Sequence, residues 1–499
     1  MNAFTRFLTH ALPVPLACAL LLAGCAVGPD YKRPDAPVPE AFKEATADST
    51  ADATAWRGDW KTAEPQDATA RADWWTVFGD SQLDALMSEV QISNQNIKAA
   101  EAQYRQAVAA LQAARAGFFP IVDAQAGATR ARGASGNTLN GQSVTLGATW
   151  EIDVWGRVRR QVESSEASAQ ASQADLASTL LSTQATLAQS YFLLRVADAQ
   201  KALLDRTVAD YAKSLQLVQN QYAAGTAQRS DVLQSETQLK SAQAQQIDIQ
   251  ITRAQLEHAI AILVGKPPSA LTLAADEFRA APPRVPGAVP SELLERRPDI
   301  GAAERRMASA NAQIGVAQAA YYPTLSLSAS GGLTASTLAR WMSLPDRIWS
   351  IGGGLAGTLF DGGLRSAAKA QAVAAYDQTV ANYRQTVLTA FQEVEDNLAA
   401  QRLLEQEAVV QNDALRSARE ALALVNNRYR AGTAGLLDVL TAQTSAYTAE
   451  RTALTIAGRQ YTAAVVLIKA LGGGWHPQAL GDTTTGSTKG AATATVGQR

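Results

Sequence analysis

Val144-Thr145-Leu146-Gly147-Ala148-Thr149-Trp150-Glu151-Ile152-Asp153-Val154 alternates strictly between two kinds of side chain. Val144, Leu146, Ala148, Trp150, Ile152 and Val154 form an apolar series, and Thr145, Gly147, Thr149, Glu151 and Asp153 form the other. Period two is the mark of a strand, because successive side chains of an extended chain point to opposite faces. Its partner is the weaker run from Ile121 to Arg132, with the Gly/Asn/Ser-rich segment 133–141 between them as the hairpin loop. Strands of about 10 to 12 residues have the length a tilted membrane β-strand needs. A soluble hairpin alternates equally well, but it explains less well why the hairpin interrupts such long helices.

Those helices flank it on both sides. Residues 80–116 are strong helix formers with Leu83, Leu86, Val90, Ile97 and Leu111 at helical spacing, and Pro120 ends the run. Residues 156–222 hold no proline and no glycine after Gly156, which predicts a helix of about 100 Å at ~1.5 Å per residue. Within it Val208, Tyr211, Leu215, Val218 and Tyr222 step by three and four, a coiled-coil seam. A further helix runs from about 230 to 264, and prolines 267, 268, 282, 283, 286 and 290 then break regular structure.

After the break the same programme recurs. Asn96 to Pro120 aligns without gaps on Asp299 to Pro323, matching Ile97 with Ile300, Glu101 with Glu304 and the two prolines with each other. A second hairpin is expected from strands 324–330 and 351–360, followed by a proline-free helix from Gly363 to Tyr429 with a seam through Val380, Tyr383, Val387, Phe391, Val394 and Leu398. Tyr222-Ala223-Ala224-Gly225-Thr226-Ala227 with Asp231-Val232-Leu233 returns as Tyr429-Arg430-Ala431-Gly432-Thr433-Ala434 with Asp438-Val439-Leu440. The chain is one duplicated helix, hairpin, helix, turn, helix unit. The expected divisions are a signal peptide (1–24), an extended segment (25–79), a first repeat (80–264, hairpin 121–154), a Pro-rich linker (265–290), a second repeat (291–471, hairpin 324–360) and a partly disordered tail (472–499).

Composition narrows function by exclusion. Of 499 residues 47% are hydrophobic and only 18% charged, with a net charge of −2, so no general nucleic-acid binder is expected. Three histidines and two cysteines cannot build a Cys/His metal site or a disulfide framework, and His258 and His476 stand far apart. No P-loop, Gly-x-Ser-x-Gly or His-Glu-x-x-His motif occurs, so no catalytic residue is assigned. At the N-terminus Arg6 and the apolar run 11–22 form a secretory signal that ends in Leu22-Ala23-Gly24-Cys25, which looks like a bacterial lipobox. Cys25 is then the expected lipid-anchor residue and mature N-terminus. Each buried methylene of its acyl chains adds about 0.8 kcal/mol of membrane affinity. Ala26 follows it where an inner-membrane retention signal has Asp, which points to the outer membrane.

Cys25, then Gly28-Pro29-Asp30-Tyr31 and Arg33-Pro34, then Trp74-Trp75 with Phe78 and Asp80, strongly resemble the outer-membrane factor family, the TolC-like efflux channels, in their lipidated NodT-like branch. Arg297-Pro298-Asp299-Ile300, Tyr322-Pro323 and the paired Gly-Thr-Ala turns continue the resemblance in fixed order over residues 25 to 475. The resemblance implies an α+β membrane protein: a homotrimer whose protomers each give four strands to one 12-stranded outer-membrane β-barrel and long helices to a periplasmic α-helical barrel. It implies no cofactor beyond the lipid on Cys25. The implied partners are a periplasmic adaptor protein, an inner-membrane transporter of the resistance-nodulation-division class and outer-membrane lipid, with drug resistance as the setting.

In the family the two Gly-Thr turns form the periplasmic tip. Gly225 and Gly432 reverse the chain after a helix, Thr226 and Thr433 follow them, and Asp231 and Asp438 fall in the next helix's first turn, where a carboxylate also suits the helix dipole. Carried over, Tyr429 and Asp231 make a closing contact and Asp438 contributes to an acidic ring, which predicts a cation-preferring channel. Ala227 and Ala434 stand where the family often has a basic residue, so the resemblance carries no salt-bridge latch to those places. Trp150 and Trp155, with Trp341 and Trp349, are expected either as interface anchors or as barrel packing. The Arg296-Arg297 and Arg305-Arg306 pairs read as solvated helix charges. Two other readings of function stand beside the efflux duct: a structural periplasmic coiled-coil lipoprotein, which needs no hairpins, and a duct for type I protein secretion.

Overall fold

The computed structural model describes residues 27–36, 39, 42–44, 73–132, 136, 138–276, 278, 297–335 and 347–473. The signal peptide, Cys25, most of the lead-in, the centre of the proline-rich linker, Trp341 and the tail with His476 lie outside the described residues. The elements are α1 (Ser81–Ser93), α2 (Gln95–Ala116), β1 (Ile121–Arg132), β2 (Thr138–Ile152), α3 (Arg157–Ala223), α4 (Arg229–Leu263), α5 (Pro298–Ala319), β3 (Thr324–Ala335), β4 (Arg347–Ala356), α6 (Leu364–Arg430) and α7 (Leu436–Ala470). Both α3 and α6 have 67 residues, and α4 and α7 have 35 each, so the duplication holds to the residue in these elements.

One compact unit takes residues 1–36, 102–173 and 302–385, and the other takes 37–101, 174–301 and 386–499. Each therefore draws segments from both repeats. The first unit contains the sheet, antiparallel throughout in the order β1-β2-β3-β4. Here the N-terminal strap is fastened too. The Arg160 side chain, 6% exposed, donates to Asp30 Oδ1 at 2.7 Å and to Glu163 Oε2 at 2.8 Å, and Asn311 Nδ2 donates to the Pro29 carbonyl at 2.9 Å. Gly28 has φ +109°, and a Cβ on it would sit 2.5 Å from the Gly315 Cα, so only glycine permits this approach. Tyr31 belongs to the same strap, and burial, followed by the Glu304 carboxylate, pushes its phenol pKa well up.

The second unit has an aromatic core. Trp74 and Trp75 with Phe78 open it on a 3₁₀ turn, and the Phe78, Phe192 and Tyr461 rings meet at centroid distances of 4.4 to 6.0 Å. Leu83, Met87, Val90, Leu187 and Ile260 fill the space around them. Arg297 is buried at 6% exposure, not a solvated helix charge: it donates to Asp299 at 3.0 and 2.7 Å, to Glu393 at 2.7 Å and to the Ala470 carbonyl at 3.1 Å.

Several boundaries differ from the expectations, and β3 runs to Ala335, five residues past the expected end at 330, where it pairs with Gln142 of β2. The helix expected over 80–116 is broken at Asn94, whose Oδ1 accepts from Asn96 N–H and Ile97 N–H while its Nδ2 donates to the Leu263 carbonyl at 2.7 Å. The side chain thus caps α2 and ties the break to the end of α4. β2 begins at Thr138 rather than 144: its first six residues, with Leu139 the single large apolar one, carry no alternation signal but pair with β1 from Arg132 to Gly127. β4 covers Arg347–Ala356 rather than 351–360: Thr324, the first residue after Pro323, pairs with Ala356 and ends the ladder there. Leu359 and Phe360 lie past it, and Asp361 then accepts from Gly363 N–H and Arg365 N–H at the start of α6.

Candidate functional site

The sheet's register sorts its residues onto two chemically different faces. Trp150 pairs with Leu327, Ala148 with Ala329 and Ile152 with Leu325, while Leu325 pairs with Leu355 and Ala329 with Ile351. Directly paired residues share a face, so Val122, Val144, Leu146, Leu325, Leu333, Trp349 and Ile351 belong to one apolar surface. Leu146, Trp349 and Ile351 are 59%, 78% and 79% exposed on it. The other face carries Asp123, Gln125, Thr145, Thr149, Ser326, Ser328, Ser330 and Ser350, with Gly127, Gly352 and Gly354 between them. The Ser330 and Ser350 hydroxyls meet at 2.8 Å there. From Val144 to Ile152 the apolar series covers nine residues, the length a tilted strand needs to cross the hydrocarbon band of an outer-membrane barrel.

Four strands cannot close a barrel, and both β1 and β4 are edge strands. An open edge in lipid leaves backbone donors and acceptors unpaired at a cost of several kcal/mol each, so a sheet of this kind in a membrane requires further strands from other copies. No described helix is long and apolar enough to cross a membrane. At the helix end of the sheet Trp155 stacks on Tyr322 at 4.8 Å and donates its indole N–H to the Pro323 carbonyl at 2.7 Å, so this tryptophan is a packing residue. Glu151 accepts a two-pronged contact from Arg157 at 2.8 and 2.7 Å.

The two Gly-Thr turns are nearly identical. Gly225 has φ 73° and Gly432 has φ 71°. Thr226 N–H reaches the Gln221 carbonyl and Thr433 N–H the Arg428 carbonyl, each at 2.9 Å, while the glycine N–H groups bond three residues back. These are Schellman endings. The threonine hydroxyls donate to the same carbonyls, at 3.0 and 3.1 Å. Asp231 Oδ2 accepts from Gln228 N–H and Asp438 Oδ2 from Gly435 N–H, both at 3.0 Å, so each carboxylate closes the first turn of the helix it opens.

The contact expected between Tyr429 and Asp231 is replaced by another. The Tyr429 hydroxyl donates to Gln221 Oε1 at 2.7 Å, and Asp231 is engaged by its own helix start. Tyr429 does join the two repeats, but at the last turn of α3 and through a neutral amide. The joint continues along α7: Gln443 donates to Ser214, Gln238 to Thr444 at 2.6 Å, and Tyr447 to Gln245 at 2.7 Å. Gln238 also donates to the Tyr211 hydroxyl at 3.1 Å, and burial raises the pKa of that phenol. No local pattern marks these glutamines, because polar residues scattered through an Ala/Gln-rich helix have no periodic signature.

Among known proteins, the family model described as outer membrane efflux protein matches residues 86–266 and 289–473. The toluene efflux pump outer membrane protein TtgC of Pseudomonas putida is 30% identical over 487 residues, which cover 94% of this chain and 97% of that one. The cation efflux system protein CusC of Escherichia coli (strain K12) is 28% identical over 466 residues, covering 92% and 99%. The crystal structure of the open state of the MtrE outer membrane channel of Neisseria gonorrhoeae superposes with a TM-score of 0.79 at 28% identity, covering 90% of this chain and 98% of that one. With its two-faced sheet, paired turns and duplicated helices matched over almost their whole length, the chain belongs to the outer membrane efflux protein family, as a channel of the outer membrane and not an enzyme.

Proposed function

We propose that this channel is the passive exit duct of a tripartite efflux system, a homotrimer held at the outer membrane by its barrel and by lipid on Cys25. A periplasmic adaptor docks on the helical tip, and an inner-membrane transporter, of the resistance-nodulation-division class, supplies the energy. The observation that carries this reading is the sheet with one apolar and one hydroxyl-lined face and two open edges. Relatives named for toluene and for cations both match this one chain over almost its whole length, which fits a duct whose cargo is chosen upstream. The structural-lipoprotein reading leaves the two-faced sheet without a purpose. Reconstitution of the purified full-length chain into planar bilayers tests the proposal: a trimer by mass with single-channel conductance is expected, and a non-conducting monomer would overturn it.

The turns at Gly225-Thr226 and Gly432-Thr433 are the tip of this duct in the same reading, with Tyr429 holding the two hairpins together through Gln221. Tyr429→Phe removes one neutral hydrogen bond, worth about 1 kcal/mol, or roughly a fivefold shift toward the open tip. Single-channel conductance or open probability should rise in Tyr429→Phe and equally in Gln221→Leu, and unchanged traces in both would remove the latch role. Asp231 and Asp438, repeated by threefold symmetry, place carboxylates around the mouth. Asp438 is the exposed one of the two, so Asp438→Ala is expected to lower the preference for cations in reversal-potential measurements. An unaltered reversal potential would count against the acidic ring.

A further inference from the structure

The apolar face of the sheet ends differently at its two ends. Where the strands join the helices it finishes in Val122, Ile152, Leu325 and Leu355, with no charge. At the hairpin-turn end the same face continues through Arg130 and Arg132 of β1, paired with Asn140 and Thr138 of β2, and through Arg347 of β4, paired with Leu333 of β3. All three arginines are exposed. The strand carboxylates Asp123 and Glu151 belong to the opposite face, and Arg132 Nε donates to the Gly136 carbonyl at 3.2 Å. One end of the band is therefore neutral, and the other carries three arginines with no carboxylate on that face among the described residues, beside the amide and hydroxyl donors of Thr138, Asn140 and Gln142.

We infer that Arg130, Arg132 and Arg347 bind the phosphate groups of the glycolipid that forms the outer leaflet of the outer membrane, lipopolysaccharide. The inference rests on the barrel reading given above, which turns the helices to the periplasm and the hairpin turns to the outer leaflet. β1 and β4 are the two edges of the sheet, so when copies close a barrel, β4 of one lies about 4.8 Å from β1 of the next. Arg347 then joins Arg130 and Arg132 of the neighbouring copy on the lipid side, and the cluster repeats at each subunit seam. Guanidinium groups suit this ligand because their planar fork meets two phosphate oxygens at once. An arginine on a lipid-facing strand is least costly at the rim, where phosphates rather than acyl chains surround it. The apolar band directly below takes the acyl chains of the same molecule.

Fluorescent lipopolysaccharide titrated onto the purified full-length channel in a fixed detergent tests this. Each Arg→Gln change is expected to weaken binding about fivefold, and Arg130→Gln/Arg132→Gln/Arg347→Gln together roughly a hundredfold. The corresponding triple Lys variant should stay within a few fold of the unaltered chain. Dephosphorylated lipopolysaccharide should bind the unaltered channel roughly a hundredfold more weakly than the intact glycolipid, and this arm decides the matter even if the triple Gln variant fails to assemble. A triple Gln variant that is trimeric, conducts normally and binds with unchanged affinity overturns the arginine site while leaving the duct intact. Full displacement of the glycolipid by millimolar inorganic phosphate overturns it in favour of a free-anion site. A monomeric, non-conducting unaltered chain instead sinks the barrel reading on which the cluster depends.

Discussion

Leu146→Arg is expected to abolish assembly of the channel in the outer membrane, whereas Thr149→Arg, three residues further along the same strand, is expected to assemble. Leu146 lies inside the apolar band, paired with Ala124 on one side and Gly331 on the other, and is 59% exposed in the chain by itself. In a barrel that exposed surface meets acyl chains. An arginine near the bilayer midplane on the lipid face costs about 2–4 kcal/mol per copy, and a symmetric assembly incurs it in every subunit. Thr149 pairs with Ile121 and Ser328 on the hydroxyl-lined face, where a guanidinium stays in water and changes only the charge of the pore. The measurement is the amount of trimer in outer-membrane fractions, with conductance of the purified protein as the second readout. Equal assembly of both variants would mean that the sheet's two faces do not meet lipid and water as assigned.

Asp198→Ala is expected to cost about 3–5 kcal/mol of stability. The Asp198 carboxylate is 3% exposed and accepts from Arg195 Nη1 at 2.9 Å and from Arg253 Nε at 2.7 Å. Those arginines also reach the carbonyls of Ala274, at 2.7 Å, and Leu273, at 2.6 Å, so the cluster binds α3 and α4 to the segment that follows them. Arg195 further contacts Gln82 and lies 4.9 Å over the Tyr191 ring, whose hydroxyl donates to Asp80 at 2.6 Å. Removing the shared acid leaves the buried Arg195 guanidinium without a carboxylate, while Arg253, 21% exposed, keeps Glu257 at 3.2 Å. Asp210→Ala is the control: its partner Lys213 is 3.4 Å away, both side chains are at least 66% exposed, and screening by water leaves the pair worth close to nothing. Thermal midpoints of the two purified variants make the comparison. Equal midpoints would show that the cluster does not hold this unit together.

Much of the fold is legible in the chain because it depends on short-range periodicity. The absence of proline and interior glycine between 157 and 223 sets one uninterrupted helix, and the same absence between 364 and 430 sets its copy. Alternation from Val144 onward marks β2, but its six leading residues, from Thr138, join the strand only because β1 pairs with them. Leu359 and Phe360 continue an apolar pattern, yet pairing with β3 stops at Ala356. Asn94 interrupts a run with uniform helical spacing because its side chain finds Leu263, far away in sequence. In each case a pattern visible in a short window meets a partner the window does not contain.

The tip divides in the same way. Gly225 and Gly432 are legible as reversal points, since only a residue without Cβ readily takes a φ above 70° after a helix, and the two aspartates are legible as helix starts. The sequence by itself therefore determined the duplicated plan, the length of the helices, the two chemistries of the strands and the position of the turns. Tertiary structure alone decided that Tyr429 closes on Gln221 rather than Asp231, that Asp198 is shared by the buried Arg195 and the half-buried Arg253, and that Arg130, Arg132 and Arg347 end one face of one sheet. Periodicity is written by neighbours within a few residues. The choice of hydrogen-bond and charge partners is made by strand register and helix packing, which bring together side chains that no local pattern connects.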